Sequence, residues 1–403
     1  MLPIAVSERV HSPNRGMKGN NYMGIKWCLS SLRVIILSAL AAGLAACSAI
    51  QPIPIGFSAE LTGKQSEASI NMRNGVRMAV EEINAAGGIA GRMINLMIED
   101  DGGIPQGAAD ADAKLIQQHA VAIIGHLTSN QTLAGYEVTE KNKTVLFSPT
   151  AATSYLTGKK DDFFRTFPTT DYLGREFARY IFSQRGLSKI SIIYDLDNDS
   201  YTVPFAGAFE AALTQLGGKV PNTVTYRSAQ TPDLARLVDE LIAANAQGVF
   251  MISSSTFAPL IAQKIRLQNW NVPLFAAPWS QGDVLIQNGG KAVNELELIL
   301  PYDLNDQSGK LTAFKKSFLS RYNESPPFSA MFGYETTQIL CEALKKTGGN
   351  AGGLSEALSK IGSFEGLVGP IQLDEFGDVI RTLYIVQIQN GEFVTKLRLS
   401  PEK

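Results

Sequence analysis

Short aliphatic runs alternate with helix-length amphipathic stretches along most of the chain. The run at 53–57 has the length and residue types of a buried strand. Apolar residues from Met72 to Ile83 then recur at the spacing of one helix face, and Gly87 and Gly88 follow them as a stop signal. Repeated strand and helix units of this kind predict parallel sheets that helices cover on both faces.

The alternation runs through two blocks, which predicts two lobes. In the first block the predicted strands are 53–57, 94–98, 121–125 and 144–147, and the predicted helices are 72–83, 106–119 and 130–141. After Pro168 the pattern restarts, with strands at 190–194, 220–226, 249–252, 273–276 and 296–300 and helices at 172–185, 204–216, 232–245 and 257–268. The predicted fold class is α/β, with two doubly wound, Rossmann-like lobes and a ligand cleft between them. Ligands of open α/β sheets bind beyond the carboxyl ends of the strands, so the loops there are the candidate site.

The first 46 residues follow a different pattern. Lys18, Lys26 and Arg33 precede an apolar run at 34–46, which is shorter than the roughly 20 residues that a membrane-spanning helix needs. This arrangement predicts a secretory signal peptide at 1–46 and therefore an exported protein.

Cys47 directly follows the small residues that close this run. Small residues before a cysteine resemble the bacterial lipobox, which predicts that Cys47 becomes the lipidated first residue of the mature protein. The protein would then be anchored to a membrane in the periplasm or at the cell surface. An ordinary cleavage site beside a cysteine is the alternative. Met17 and Met23 are alternative start positions.

Composition excludes several classes of function. Lys and Arg total 36 against 38 Asp and Glu, so no basic excess favours nucleic acid as a partner. Three cysteines are too few for a disulfide framework or a four-thiolate zinc site. The chain has no Gly-x-Ser-x-Gly elbow, His-Glu-x-x-His motif or Walker loop, and we expect no catalytic residue, metal or cofactor.

Two polar loops follow successive strands of the first block. In the loop 125–130, Thr128 and Ser129 place hydroxyls beside backbone N–H groups at the positive end of a helix dipole, which suits a carboxylate. A plain N-cap that serves only the helix is the alternative. The next strand is followed by a stretch rich in Ser and Thr, in which a ligand can approach the backbone closely or the chain simply turns. Its candidate residues are Thr150, Ala151 and Thr153.

Other candidate side chains lie at the crossing between the lobes and on the second lobe. Asp171 follows the crossing and suits an ammonium group, unless it caps the helix that starts at Tyr172. Tyr201, Ser254 and Trp279 follow strands of the second lobe. They would close over a ligand from the opposite wall, unless the aromatic rings serve packing within the lobe.

Three further patterns have both a functional and a simpler structural explanation. His126 lies in the cleft loop and is the candidate general base if the protein is a hydrolase. Asp100 and Asp101 lack the ligand spacing of a calcium loop, which favours a solvated turn. The acids within 195–199 form either a cation site or an exposed loop.

Together these residues resemble the type I periplasmic binding proteins of the leucine/isoleucine/valine-binding family, the solute receptors of branched-chain amino-acid uptake systems. The resemblance covers nearly the whole chain after the leader. Its most specific part is the asparagine and double glycine at Asn84, Gly87 and Gly88. The segments that carry it are 55–63, 80–92, 99–101, 124–132, 147–153, 164–171 and 369–378.

The resemblance implies a domain organisation with three crossings between the lobes, near Pro168, Pro301 and 374–378. The parts it implies are lobe 1 at 47–168 and 301–375, and lobe 2 at 169–300 with a return at 376–403.

The resemblance also implies ligand roles. Ser129 and the loop from Thr150 to Thr153 match residues that hold the α-carboxylate of the ligand and help to hold its ammonium group. Tyr201 matches a cleft tyrosine of the second lobe, provided that the preceding loop carries a two-residue insertion.

The chain departs from the family at two of these positions. The family's hydroxyl-bearing threonine falls on Ala152, and its ammonium-binding glutamate falls near Pro278 or Trp279. Either Asp171 or Asp283 replaces that acid, or the ligand has no amine.

The resemblance implies binding without bond chemistry. We expect an extracytoplasmic, monomeric lipoprotein whose lobes close on a small ligand that carries a carboxylate, such as an amino acid, or on a related amide or aromatic acid. Its partners would be the permease and ATPase subunits of an ABC uptake transporter. A ligand sensor of the same fold that signals to a partner protein is the alternative.

Overall fold

A computed structural model describes residues 51–399 of the 403-residue chain. The predicted signal peptide at 1–46 and the candidate lipidation residue Cys47 lie outside the described residues, as do residues 400–403.

The first sheet has five parallel strands in the order β2-β1-β3-β4-β5. Helices connect its first four strands, because a parallel step needs a crossover, and a loop with one 3-10 turn leads from β4 to β5. The elements are β1 (Ile53–Ala59), α1 (Ser66–Ala85), β2 (Ile94–Asp100), α2 (Pro105–Gln117), β3 (Ala122–Gly125), α3 (Ser129–Lys141), β4 (Val145–Ser148), β5 (Phe163–Arg165) and α4 (Thr170–Ser183). The order is that of a doubly wound sheet, which confirms the predicted fold class for this half.

The second sheet has seven strands in the order β14-β13-β10-β9-β8-β6-β7. The five strands from β10 to β7 in this order are parallel, and β13 and β14 add an antiparallel edge. The elements are β6 (Ile190–Asp195), α5 (Asp199–Gln215), β7 (Thr223–Tyr226), α6 (Leu234–Ala243), β8 (Gly248–Ile252), α7 (Ala258–Leu267), β9 (Leu274–Ala276), α8 (Asp283–Gly289), β10 (Glu297–Leu300), β13 (Leu383–Gln389) and β14 (Glu392–Leu399).

Between β10 and β13 the chain forms three helices and a short hairpin. They are α9 (Gly309–Tyr322), α10 (Phe328–Lys346), α11 (Leu354–Ser359), β11 (Ser363–Glu365) and β12 (Pro370–Gln372). Helix α10 packs closely on α1, since a Cβ at Gly75 would overlap the backbone carbonyl of Ala330. The lobe boundaries given above remain predictions.

The central parallel strands of both sheets, such as β3, β4 and β8, are buried on both faces, as crossover helices require. In the second sheet Phe250 of β8 lies against Phe177 of α4 and Phe209 of α5, with ring centroids 5.3 Å and 4.7 Å apart. All three side chains are fully buried. This packing fixes the strand ends from which the candidate loops emerge.

Several elements differ from the sequence prediction, and two of the differences have a clear local cause. Helix α5 begins at Asp199, whereas the prediction placed its start at Pro204. Proline is common in the first turn of a helix, but here Pro204 lies inside α5 and leaves the carbonyl of Ser200 without its usual helical donor. The short strand β5 was also missed, because a strand of three residues carries too little pattern to detect.

Two buried ion pairs join the segments near the predicted crossings. Arg165 donates from Nε to Oδ1 of Asp378 at 2.7 Å, and its Nη1 donates to the carbonyl of Thr153 at 2.6 Å. Arg381 donates from Nη2 to Oε2 of Glu335 at 2.7 Å. All four charged side chains are buried, so each pair replaces hydration that folding removes.

Arg381 also donates from Nε to the carbonyl of Thr166, at 2.9 Å. Thr166 precedes the first predicted crossing and Arg381 follows the third, so Arg381 ties these two chain segments to α10.

Between residues 51 and 399, none of the helices combines the length and apolarity needed to cross a bilayer.

Candidate ligand site

The loop after β3 presents the predicted carboxylate site. Thr128 occupies the N-cap position of α3, but its side chain makes no capping hydrogen bond. Ser129 is the first residue of the helix, is 2% exposed, and its hydroxyl makes no hydrogen bond to the described part of the chain. The first N–H groups of a helix also lack helical partners. A plain cap therefore does not account for these two hydroxyls, which remain available to a ligand.

The loop after β4 is more fully occupied by its own contacts. Thr150 donates its hydroxyl to the carbonyl of Leu127 at 2.7 Å, and the backbone N–H of Ala151 donates to Ser148 Oγ at 3.0 Å. The hydroxyl of Thr153 is buried and accepts from the N–H of Tyr155. These contacts bind the loop to its neighbour and leave direct ligand contacts by its three candidates as a prediction.

The second sheet contributes an aromatic wall. Tyr201, in the first turn of α5, is 5% exposed, and its ring meets that of Trp279 edge to face at 6.0 Å. Trp279 follows β9 and is partly exposed. Ser254, which follows β8, is partly exposed and accepts from the N–H of Phe257 at 3.3 Å, so it shapes a turn.

Hydrogen bonds connect the strand-end loops of the two sheets. Asn130 donates from Nδ2 to the carbonyl of Asp197 at 3.3 Å, and its Oδ1 accepts from the N–H of Ser200 at 3.0 Å. The indole Nε1 of Trp279 donates to Oε1 of Gln65 at 3.0 Å. The loops after β1 and β3 thus lie against those after β6 and β9. We call these three hydrogen bonds the interlobe latch.

Several buried oxygens near the first turns of α3, α4 and α5 have no hydrogen-bond partner among residues 51–399. They are Oε1 of Gln131, Oγ1 of Thr170, Oδ1 of Asn198 and the hydroxyl of Tyr201. Burial raises the pKa of Tyr201 above its ordinary value, so this hydroxyl stays protonated at all ordinary pH values. Unpaired buried polar atoms are costly in a folded protein, and a ligand or water at this site would supply the missing partners.

Sequence reasoning missed the latch residues Gln65 and Asn130 and the unpaired Asn198. Gln65 and Trp279 are 214 residues apart in the chain, and no local pattern marks such a contact. Asn130 lies in the predicted ligand loop, but only the hydroxyls beside it were predicted to make contacts.

The candidate acids are not positioned by capping. Thr169, not Asp171, caps α4 by accepting from the N–H of Tyr172 at 3.2 Å, so the capping explanation of Asp171 was wrong. Asp171 and Asp283 are both exposed in the first turns of their helices. Their approach to an ammonium group remains a prediction.

His126 is not available as a general base, which corrects the hydrolase hypothesis. Its side chain is fully buried, with Nδ1 2.8 Å from Asp101 and Nε2 3.1 Å from Asp112. Burial by itself lowers the pKa of His126, but Asp112 and Asp101 outweigh it and raise the pKa to about 10. A general base must take up a proton at working pH, and both ring nitrogens of His126 already carry one.

The acidic turns serve the backbone instead of a cation. Asp100 accepts from the N–H groups of Leu61, Thr62 and Gly102, which ties the end of β2 to the loop after β1. In the segment 195–199, Asp195 accepts from the N–H groups of Asp197 and Ser228. Residues 51–399 contain no group of three side chains arranged to hold a metal ion.

A groove of about 770 Å³ lies elsewhere, beside α9, α10 and β11. Its lining includes Glu82, Tyr334 and Gln338 but none of the predicted ligand residues. Tyr334 donates to Glu82 at 2.6 Å and accepts from Gln338 at 2.8 Å, so these polar groups satisfy one another. The strand-end loops therefore remain the candidate site.

Known proteins share this architecture. A Leu/Ile/Val-binding protein homolog of Brucella abortus is 26% identical over 335 residues, which cover 82% of this chain and 88% of the relative. The crystal structure of the leucine binding protein LivK from Thermotoga maritima matches with a TM-score of 0.81 at 23% identity, over 87% of this chain and 99% of that one.

A solute binding protein of an ABC transporter from R. palustris, solved in complex with benzoate, matches with a TM-score of 0.76 at 21% identity. The match covers 85% of this chain and 95% of that protein. The profile of the periplasmic binding protein family matches residues 52–392, which is most of the chain. The resemblance inferred from the sequence is thereby confirmed, and the chain belongs to the periplasmic binding protein family.

Proposed function

We propose that this protein is the extracytoplasmic receptor of an ABC uptake transporter and that it binds a small carboxylate-bearing ligand between the loops after β3 and β6. The interlobe latch, formed beside unpaired buried oxygens, is the observation that carries the proposal. Members of this family and fold bind solutes and are not enzymes. Closure of two lobes around a ligand is the established motion of this architecture.

Ser129 is the proposed carboxylate anchor. Its hydroxyl and the first N–H groups of α3 converge at the positive end of the helix dipole, where a carboxylate gains charge-assisted hydrogen bonds. Thr128 offers a second unpaired hydroxyl beside it. Thr150, Ala151 and Thr153 act mainly by holding the shape of the neighbouring loop.

Tyr201 and Trp279 are proposed to enclose the body of the ligand. The family's ammonium-binding glutamate falls near Pro278 or Trp279, and the indole N–H of Trp279 is already bonded to Gln65. An apolar or aromatic body next to these rings is favoured by their edge-to-face packing. We therefore propose that the preferred ligand is a carboxylate without an amine.

A thermal-shift screen tests this ligand class. Leucine and benzoate are the matched probes, because both carry a carboxylate and only leucine carries an amine. A ligand at 100 times its Kd stabilises a protein by about 2.7 kcal/mol, which raises its melting temperature measurably. We expect benzoate or a related acid to raise it more than leucine. A larger shift with leucine would refute the amine-free preference but not the carboxylate site.

The Ser129→Ala variant tests the anchor. We expect its Kd for the ligand found in the screen to rise at least about fivefold, as for the loss of a hydrogen bond worth about 1 kcal/mol. Titration calorimetry would measure it, with Ser359→Ala as the control because Ser359 is exposed on α11. Equal affinity of Ser129→Ala and the unchanged protein would remove Ser129 from the site.

Export and anchoring complete the proposal. The family is one of exported, periplasmic proteins. We propose that Cys47 carries the lipid that holds the protein at the membrane next to its permease and ATPase partners. Metabolic labelling with a palmitate analogue should mark the protein and should fail to mark the Cys47→Ser variant. Equal labelling of both would contradict the anchor.

A further inference from the structure

His126 connects more parts of the molecule than its neighbours in the loop do. Its imidazole lies between Asp101, which follows β2, and Asp112 of α2, and Nδ1 is 3.3 Å from the hydroxyl of Ser58 in β1. Histidine and both acids are buried, with at most 1% of each exposed. Both ring nitrogens face a carboxylate, so both donate only when the ring is an imidazolium.

The backbone of the same residue joins the two candidate ligand loops. The carbonyl of His126 accepts from the hydroxyl of Thr150 at 3.2 Å and from that of Ser148 at 3.4 Å. Ser129, the proposed anchor, comes three residues later. A shift of the His126 backbone would therefore move the loops after β3 and β4 together.

Helix α3 leaves space for this arrangement at one glycine. A Cβ on Gly135 would come closer to Oδ2 of Asp112 and to Nε2 of His126 than real Cβ contacts allow. The helix thus lacks a side chain where the imidazolium and its two carboxylates need room. We call His126, Asp101 and Asp112 the buried triad.

We propose that His126 is a positioning residue of the ligand site: clamped between Asp101 and Asp112, its doubly protonated ring holds the loop that carries Thr128 and Ser129 in its binding geometry. The role of His126 in binding rests on the proposed function, but the positioning of the loop can be tested without a ligand. It assigns the triad a role in binding that the family resemblance does not.

The proposal predicts how the site responds to pH. The groups that face the ring are Ser58 from β1, Asp101 from the turn after β2, Asp112 from α2 and Gly135 from α3, so the two carboxylates are the charged ones. They keep the pKa of His126 at about 10, and the loop geometry should therefore stay constant between pH 6 and 9. Folding stability should nevertheless fall as the pH rises above about 6.5, the ordinary pKa of histidine. The reason is that the folded state holds the His126 proton more tightly than the unfolded state does.

The decisive variant is Asp112→Asn, which keeps the shape of the side chain and removes one of the two charges. Its effect is to lower the pKa of His126, so that the ring loses a proton within the accessible range. In ¹⁵N-labelled protein, we expect the backbone amide signals of Ser129 and Thr150 to shift with the same midpoint as the ring of His126. In the unchanged protein those signals should stay constant between pH 6 and 9.

Asp110→Asn is the matched control, because Asp110 lies on the same helix but is exposed. It should behave as the unchanged protein does. The proposal is overturned if the ring titrates in Asp112→Asn while the Ser129 and Thr150 amides stay constant. A ring that remains protonated to pH 9 in that variant would equally overturn it, since Asp112 would then not be holding the charge.

Gly135→Ala supplies a second route if Asp112→Asn fails to fold. Its methyl group should displace the triad and move the Ser129 and Thr150 amide signals at pH 7, whereas Gly207→Ala in α5, whose methyl meets no atom within 4 Å, should not. Constant signals in Gly135→Ala would contradict the positioning role.

Affinity gives the functional readout. The Kd is measured for whichever of leucine or benzoate binds. As the pH rises from 6 to 9, the Kd of Asp112→Asn should rise about fivefold relative to that of the unchanged protein, as for one lost hydrogen bond. If neither probe binds, the proposed ligand class fails while the amide signals still decide the role of His126.

Discussion

The Asp378→Ala variant should lose about 3–5 kcal/mol of unfolding free energy, the cost of leaving a buried charge without its partner. Arg165 is fully buried, and its Nε and Nη2 both donate to Oδ1 of Asp378, at 2.7 Å and 2.5 Å. Its other donors go to the carbonyl of Thr153 and the hydroxyl of Thr157. Neither can neutralise the guanidinium once Asp378 is removed.

Equilibrium urea unfolding measures this loss. The matched control is Glu375→Gln in the same turn, where Glu375 pairs with Lys160 and the two side chains are 65% and 69% exposed. An exposed pair of this kind contributes about 0–1 kcal/mol. A loss below about 1 kcal/mol in Asp378→Ala would mean that water reaches Arg165 and that the pair is not buried in solution.

Glu335→Ala should cost a similar amount, about 3–5 kcal/mol, for a related reason. Glu335 is fully buried, and its Oε2 accepts from Nη2 of Arg381 at 2.7 Å. Its Oε1 accepts from the N–H groups of Leu367 and Val368, at 2.6 Å and 3.2 Å. The variant therefore removes the partner of one cation and of two backbone donors at once.

The control for this variant is Glu342→Ala on the same helix, since Glu342 pairs with Lys345 at the surface. It should change the unfolding free energy by no more than about 1 kcal/mol. Because Arg381 also holds the carbonyl of Thr166, Glu335→Ala should weaken ligand binding beyond its effect on folding. Equal stability of the two variants would show that Arg381 finds another partner.

The fold was predictable because its signals are local. Aliphatic runs with turn residues at both ends marked β1, β3 and β8, and the polar loops after β3 and β8 were predicted from the sequence to belong to the candidate site. Helix α5 was misjudged by five residues because a proline inside a helix imitates a helix start. Strands as short as β5 take their identity from the neighbours with which they pair.

The chemistry of the site was less predictable, because it depends on contacts between distant residues. His126 resembled a catalytic base in the sequence, yet its partners Asp112 and Asp101 lie 14 and 25 residues earlier. The hydroxyl of Thr150 donates to the carbonyl of Leu127, a contact that the sequence did not indicate, and its contact with a ligand stays a prediction. Sequence patterns identify which groups are present at a strand end but not which of them are already paired.

The interlobe latch separates the sensitivity of the receptor from its selectivity. Its hydrogen bonds run between Asn130, Gln65 and the facing loops and contain no ligand atom. Strengthening or weakening them changes the fraction of empty receptor that is already shut, and apparent affinity scales with that fraction. The concentration at which this protein fills would thus be adjustable at the latch, while the proposed ligand contacts of Ser129 and Tyr201 would determine the choice among solutes.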